Sequence, residues 1–470
     1  FFLVVLYGFG SSISFIVKES EDFLERHLMR FGVGLGIMPA FGLLLNLLNI
    51  PLDWRIFIIA SLLVLAVKSY TDYRNNDFFN VKLNFNLYSL FMLVLFAITL
   101  YMYTAGAFAY PYLEDDDSWS HAIGVKYVSI EKTVFSAKRI LHYIDPYPPT
   151  YDLLLGIIHQ TNDSVYWTLK FFNALIVSLS IIFFYFFARE FTSSSKKALF
   201  STFALFAVPA FLSHFIWALA LTVPLYFVSF YCVERINHDK KWCIAAGPVI
   251  ATTLTSSPTH STYFGLFFIL YFIGKIIAKR RILFYEALAG FCGLLLSFAL
   301  WWLPILIKYG LTETLQMLGI RGGLRSNVSV FNIIGTGDRV YTFSDFLCQP
   351  GTPCYNGQNM INNPIGIGWV LSILAVIGVV YLVIKYKDMF NKDNYYKFVV
   401  LLWFALAFYA VNAAKFPIKI SPFRAWMLLA IPVSLLAGES INFINNMSKS
   451  LTRNFTKSKN AVIAVSLIVL

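Results

Sequence analysis

Long apolar runs separated by short polar stretches recur along the whole chain. A helix needs about 20 apolar residues to cross a bilayer, so the pattern predicts about 13 or 14 membrane spans. They lie at 1–17, 31–51, 55–69, 86–108, 166–188, 197–213, 215–233, 242–256, 260–278, 285–307, 364–384, 398–413, 420–438 and from 461 onward. The run 149–160 is too short to cross, and the prolines at its start predict an interfacial or re-entrant helix. The expected fold is therefore an all-α, polytopic transmembrane helical bundle.

Composition excludes a water-soluble fold. Of the 470 residues, 58% are hydrophobic and 13% are charged, against about 25% charged in ordinary soluble domains. The net charge of +12 would suggest nucleic acid in a soluble protein. Here membrane topology explains it, and no nucleic-acid partner is expected.

The distribution of Lys and Arg predicts the orientation, because short cytoplasmic loops retain positive charge. By strict alternation, five connections lie on one side with 18 basic residues, and the connections opposite hold 10. The five basic connections are 189–197, 234–241, 275–284, 385–397 and 439–460. The two long loops, 109–165 and 308–363, are therefore expected outside a multi-pass cell-membrane protein. A disulfide between Cys348 and Cys354 would form there, if it forms, across a Pro-Gly turn.

Four consecutive acidic residues, 114–117, directly follow the span 86–108. Crowded carboxylates need hydration, a cation or a cationic substrate group, so the stretch is either a solvated turn or a binding site. The loop continues through Asp145-Pro146-Tyr147-Pro148-Pro149 into the short apolar helix. This order resembles the GT-C superfamily of membrane glycosyltransferases. Within it, Asp117-Ser118-Trp119-Ser120-His121 looks like the Asp-Pro-Trp-x-His stretch of archaeal oligosaccharyltransferase catalytic subunits.

The resemblance implies a division of the chain and a set of site residues. It covers 86–470 loosely, leaving 1–85 as extra N-terminal transmembrane helices, and it leaves open a further domain beyond residue 470. Asp117 would be the principal catalytic or metal-binding carboxylate, supported by Asp115 and Asp116. Trp119 and His121 would contact the substrate.

A second stretch that resembles the oligosaccharyltransferase pattern lies at the start of the span 420–438. Arg424 lies about one turn inside the outer boundary, where a charge is costly unless it snorkels or meets a partner. Arg suits phosphate because it stays charged and offers a fork of donors. The oligosaccharyltransferase pattern implies that Arg424 binds the phosphate of the lipid-linked sugar, while snorkelling remains the alternative. Lys419 either adds to the same phosphate site or flanks the helix.

The second long loop and one short turn supply the remaining candidates. Asp345, in Thr342-Phe343-Ser344-Asp345, is similar in layout to a short Ser/Thr-x-x-acid motif whose acid reaches the oligosaccharyltransferase active site. The short turn at 211–215 lacks the acidic pair that this family carries there. Either His214 joins Asp117 as a ligand for Mn²⁺ or Mg²⁺, or the enzyme works without a metal. The Trp-Trp-Asp-Tyr-Gly motif of the family's soluble domain is also absent.

The function implied is transfer of a sugar or glycan from a polyprenyl-phosphate or pyrophosphate donor. The acceptor would be a protein or a glycan at the outer membrane face, and the surrounding lipid is a further partner. One alternative is an oligosaccharyltransferase subunit that N-glycosylates protein. Two others are a transporter or flippase for a lipid-linked substrate and a GT-C scaffold without activity.

Overall fold

The computed structural model describes residues 1–75, 86–114, 116–135, 143–213, 215–317, 340–347, 364–416 and 422–454. Within these ranges the chain is helical and has no strand. The first six helices are α1 Phe2–Ser11, α2 Phe23–Leu47, α3 Trp54–Arg74, α4 Leu87–Ala109, α5 Asp116–Glu131 and α6 Thr150–His159. The central helices are α7 Val165–Trp167, α8 Asn173–Thr192, α9 Ser195–Ala207, α10 Leu219–Arg235, α11 Trp242–Leu254, α12 Pro258–Lys279, α13 Phe284–Ser297 and α14 Leu303–Tyr309. The remaining helices are α15 Leu311–Met317, α16 Phe343–Leu347, α17 Trp369–Ile384, α18 Tyr386–Met389, α19 Tyr395–Val411 and α20 Pro422–Asn454.

The predicted multi-span helical fold is confirmed. Each predicted span up to 420–438 contains a helix, and the apolar run from 461 lies outside the described residues. In the described part, seven helical segments are long and apolar enough to cross a bilayer, and several others are shorter apolar helices. Turns of π-helix at 168–172 and 298–302 join α7 to α8 and α13 to α14, so each pair forms one long segment.

The centre of the bundle is formed by helices that are buried on every side. All residues of α10 are buried, and α8 is buried almost throughout. α3, by contrast, buries only Phe57 and Ser61 and exposes Ile59, Leu62, Leu63 and Val67. An apolar face without a protein neighbour suits contact with lipid tails, since helices satisfy their own backbone hydrogen bonds there.

The second helix, α2, is packed into the bundle. α2 contacts α8, α10 and α11, and glycines let it approach closely. A Cβ at Gly36 would lie 2.8 Å from Val249 Cγ2, and one at Gly42 would lie 2.9 Å from Leu153 Cδ2. α2 therefore helps to position α6, which contains Leu153.

Buried ion pairs gather at one end of the bundle. The pairs are Arg189 with Asp22 and Glu25, Arg235 with Glu190, Lys197 with Glu439, and Lys275 with Glu234 and Glu286. Several lie in or beside the basic connections that the sequence analysis assigns to the cytoplasm. Because α10 and α12 carry these pairs at their C-terminal ends, their N-terminal ends point to the opposite side of the bundle.

The loop predicted at 109–165 is largely helical. α5 occupies its centre, and α6 fills the position of the predicted short helix. All ten residues of α6 are buried within the protein. The tight packing of α6 on α5 depends on Gly156, where a Cβ would lie 2.6 Å from Val128 Cβ.

Candidate functional site

A small polar cavity lies where the N-terminal turns of α5, α10, α12 and α20 meet. Its lining residues are Asp117, His121, Tyr143, Tyr147, Trp217, Ala218, Leu219, Ser257, His260 and Arg424. The N-terminus of a helix carries a partial positive charge and unpaired N–H groups. Four such ends at one cavity, together with Arg424, produce a site suited to an anion.

Asp117 lies in the first turn of α5, where the helix dipole stabilises a carboxylate. Tyr143, from the loop before α6, donates its hydroxyl to Asp117 Oδ1. Burial raises the pKa of the Tyr143 hydroxyl, and the charge of Asp117 raises it further. Tyr143 therefore stays protonated at neutral pH and remains a donor to the carboxylate.

Arg424 approaches the cavity from the first turn of α20 and is half-buried. Its Nη1 donates a long hydrogen bond of 3.5 Å to Thr259 Oγ1. Among the described residues, no carboxylate lies within ion-pair distance of Arg424. Its charge nevertheless reaches the cavity, because it acts on the hydroxyls of Tyr143 and Tyr147. Arg424 thus faces the cavity with most of its hydrogen-bonding capacity unused within the described structure.

A histidine and an aspartate form a buried pair at the back of the cavity. His121 Nδ1 lies 2.7 Å from Asp152 Oδ1, and the two side chains are 3% and 1% exposed. The His121 ring also stacks on the Tyr143 ring, with centroids 4.6 Å apart and planes 16° apart. Burial raises the pKa of Asp152, and His121 partly offsets this. Asp152 is in α6, so the pair also connects α5 with α6.

Lys170 holds the end of α4, from which the chain continues to Asp117. The Lys170 side chain is fully buried, and its Nζ donates to the carbonyl oxygens of Ala107, at 2.6 Å, and Tyr110. It also lies 4.7 Å from the ring centroid of Tyr166. A cation at a helix C-terminus is stabilised by the exposed carbonyls. Lys170 thereby fixes where the acidic segment begins.

The described residues do not assemble a metal site. No group of three His, Cys, Asp or Glu side chains in the described ranges could hold an ion. Among the described residues, Asp117 is the carboxylate that lines the cavity, and Arg424 already places a positive charge there. Asp115 and His214, which the sequence analysis names beside Asp117, lie outside the described residues. The Mn²⁺ or Mg²⁺ ion stays a prediction, and we assign it no step.

The structure brings together only some of the residues predicted from sequence. Asp117, His121 and Arg424 line the cavity. Asp116 is exposed beside it and accepts a hydrogen bond from the Asp117 N–H at 2.9 Å. Trp119 is 54% exposed and does not line the cavity. Lys419 and the two cysteines, Cys348 and Cys354, lie outside the described residues.

Asp345 is also absent from the cavity lining. Its Oδ2 accepts hydrogen bonds from the backbone N–H of Thr342, at 2.6 Å, and from the Thr342 hydroxyl, at 2.8 Å. The carboxylate thus caps its own short helix, α16, in the manner of a local turn. The Ser/Thr-x-x-acid layout has a structural use here.

Four residues at or beside the cavity are not predicted as site residues from the sequence: Asp152, Tyr143, Tyr147 and Trp217. Asp152 carried a usable signal, because it is the one carboxylate in the apolar run 149–160. A charged group in a buried helix requires a partner. The three aromatic residues carried no such signal, since 18% of the chain is aromatic.

A second cavity lies between α4, α9, α17 and α20 and is almost entirely apolar. Its volume is about 840 Å³, and Phe91, Phe203, Trp369 and Ile441 are among the residues that line it. The lining comes from the N-terminal halves of α4 and α17, from most of α9 and from the C-terminal half of α20.

The fold and the cavity define a multi-pass helical membrane protein with a polar pocket at one end. The chain is similar to ArnT from Cupriavidus metallidurans, whose crystal structure contains bound undecaprenyl phosphate. The two share 15% sequence identity with a TM-score of 0.46, and the match covers 80% of this chain and 66% of ArnT. The chain thus spans slightly under two thirds of the length of ArnT. No family model and no curated protein matches the sequence.

Proposed function

We propose that the protein is a membrane glycosyltransferase that takes a sugar or glycan from a polyprenyl-phosphate or pyrophosphate donor. The observation that carries the proposal is Arg424, which has no carboxylate partner among the described residues and lies at an anion-suited cavity beside Asp117. A guanidinium fork binds phosphate oxygens in pairs. The motif resemblance to GT-C enzymes supports the same chemistry.

The two charged groups have opposite tasks in such a transfer. Arg424 and the helix N-termini would bind the phosphate and stabilise the negative charge that develops as the sugar–phosphate bond breaks. Asp117, across the same cavity, would orient the acceptor or stabilise positive charge on the sugar ring. Attack from the face opposite the phosphate would invert the anomeric carbon.

The charge distribution favours surface chemistry over transport. Transporters place charged groups and broken helices near the bilayer midplane. The polar cavity here lies at helix N-termini, and the large groove is apolar. A flippase and an inactive scaffold are the alternative functions that a sugar-transfer experiment distinguishes from the proposed enzyme. An oligosaccharyltransferase is the form of this enzyme in which the acceptor is a protein.

The test is transfer of label from a polyprenyl-phosphate sugar pool in membranes that contain the protein. Wild type is compared with Asp117→Asn and Arg424→Gln, and Arg281→Gln is the matched control because Arg281 is exposed and far from the cavity. Loss of a group that stabilises developing charge lowers rates by about 10²–10³-fold. We expect both cavity variants to fall by this order and the control to equal wild type.

EDTA distinguishes a metal-dependent enzyme from a metal-independent one. Inhibition of wild type by EDTA, reversed by Mn²⁺ or Mg²⁺, would support a metal-dependent enzyme, and full activity in EDTA would support a metal-independent one. Transfer by Asp117→Asn at the wild-type rate would remove Asp117 from the mechanism. If wild type transferred no label, the flippase and scaffold functions would replace the proposal.

A further inference from the structure

We infer that His121 is the proton acceptor of the transfer reaction and that Asp152 is the residue that positions it. The inference rests on the proposed function and specifies the acceptor as a hydroxyl group. It adds Asp152 to the site and gives His121 a task other than contact with the substrate.

The geometry leaves one nitrogen of His121 for the cavity. Nδ1 is taken by Asp152 Oδ1 at 2.7 Å, so Asp152 favours the tautomer that carries its proton on Nδ1. The other nitrogen, Nε2, then has a free lone pair. His121 lines the cavity while Asp152 does not, so Nε2 is the atom that can accept a proton from a bound substrate.

The position of the ring is fixed on three sides. Tyr143 stacks on one face, and the Tyr151 ring meets it edge-on at 4.8 Å between centroids. Asp152 holds it from α6. A base held in this way needs little reorganisation when the proton moves.

Burial of the Asp152 carboxylate is unfavourable unless a partner stabilises its charge. Its side chain is 1% exposed, and its Oδ2 is buried without a hydrogen-bond partner in the described part of the chain. An isolated buried carboxylate costs several kcal/mol. In the described part of the chain, its hydrogen-bond partner is His121. Gly124 leaves space for the carboxylate, because a Cβ at Gly124 would lie 2.2 Å from Oδ2. The contact between α5 and α6 is thus built around this carboxylate.

The step balances without an added reagent. The acceptor oxygen forms a bond to the anomeric carbon as its proton passes to His121 Nε2. The bond between that carbon and the phosphate oxygen breaks, and the phosphate leaves with the electron pair. The imidazolium then releases its proton to solvent, and Asp152 stabilises the imidazolium while it exists.

Several charged and titratable groups surround His121. Asp117 lies one turn earlier on α5, and Tyr143 and Tyr151 contact the ring from the loop and α6. Arg424 and His260 line the cavity from α20 and α12.

The experiment measures kcat and KM for the donor in His121→Ala and Asp152→Asn. Removal of a general base lowers kcat by about 10²–10⁴-fold, and we expect His121→Ala to do so while KM for the donor stays close to wild type. Added imidazole should restore part of the activity of His121→Ala, because the deleted ring leaves a space of its own shape. Asp152→Asn should lower kcat, and imidazole should not restore it.

Two glycine variants form a matched pair that separates positioning from packing. Gly124→Ala and Gly156→Ala both crowd the contact between α5 and α6. Only the first places a methyl group against Asp152, whereas the second meets Val128 Cβ at 2.6 Å. Both variants disturb the packing of α6 on α5, and we expect kcat to fall further in Gly124→Ala than in Gly156→Ala.

A purely structural pair would behave differently. The double variant His121→Leu with Asp152→Leu replaces a buried pair by apolar side chains, which is often neutral for stability. A folded and fully active double variant would overturn the inference, and so would an unchanged kcat in His121→Ala. Both results require that wild type transfers sugar, so they are distinct from failure of the proposed function.

Discussion

Removal of the Lys275 ammonium is predicted to destabilise the protein without changing its site. Lys275 Nζ lies 3.4 Å from Glu234 Oε2 and 3.5 Å from Glu286 Oε1. The lysine side chain is fully buried, and the two glutamates are 2% and 5% exposed. Lys275→Met keeps most of the side-chain volume and removes a cation that pairs with two buried carboxylates.

The expected loss of stability depends on the hydrogen bonds that each glutamate still accepts in the variant. Breaking a buried pair by removing one partner costs about 3–5 kcal/mol. Glu234 still accepts hydrogen bonds from the hydroxyls of Tyr271, at 2.6 Å, and Tyr395. Glu286 has no such donor in the described structure, so it accounts for most of the loss. We therefore expect the free energy of unfolding to fall by about 3–5 kcal/mol in Lys275→Met and to recover in part when Glu286→Gln is added.

Thermal unfolding in detergent, followed by tryptophan fluorescence, measures the effect. Lys385→Met is the control, because Lys385 is exposed. Transfer activity per folded molecule should be unchanged in all variants, since Lys275 lies 15 residues along α12 from His260, or about 22 Å. Equal Tm values for Lys275→Met and Lys385→Met would refute the reasoning, as would a Glu286→Gln addition that lowered Tm further.

Three further predictions concern the surroundings of the cavity. Tyr143→Phe removes the donor to Asp117, and we expect kcat to fall by about tenfold, the worth of one hydrogen bond to a charged group, with donor binding unchanged in a filter assay. Lys170→Met removes the cation that holds the end of α4, so proteolysis should cut the segment before Asp117 faster than in wild type; equal cleavage rates would contradict this. Asp345→Asn should keep the transfer rate of wild type, because its carboxylate bonds to Thr342, and a large loss would return Asp345 to the site.

The sequence was informative where chemistry and position coincide. Arg424 in an apolar span and Asp117 in an acidic stretch after a span are both unusual, and both line the cavity. The helix α5 was missed because the charges and polar groups of 116–131 hide its apolar side. Trp119 belonged to the same motif as Asp117 and His121, yet it points to the exposed side of α5.

The cavity itself could not be predicted from the sequence. It depends on which helix ends meet, and Asp117 and Arg424 are about 300 residues apart in the chain. Asp152 was overlooked for a related reason. Hydropathy treats 149–160 as one apolar run, and only the packing of α6 against α5 shows that its single carboxylate faces a histidine.

The complete burial of α6 limits how the protein can be engineered. Hydropathy places 149–160 in an outer loop, which would make it an obvious location for an epitope tag or an antibody. Insertions are tolerated where the backbone is exposed and few contacts are broken, and α6 has every residue enclosed. A label placed there would have to open the bundle, so exposed positions such as Tyr112, at 64% exposure, are the better attachment points on this side of the protein.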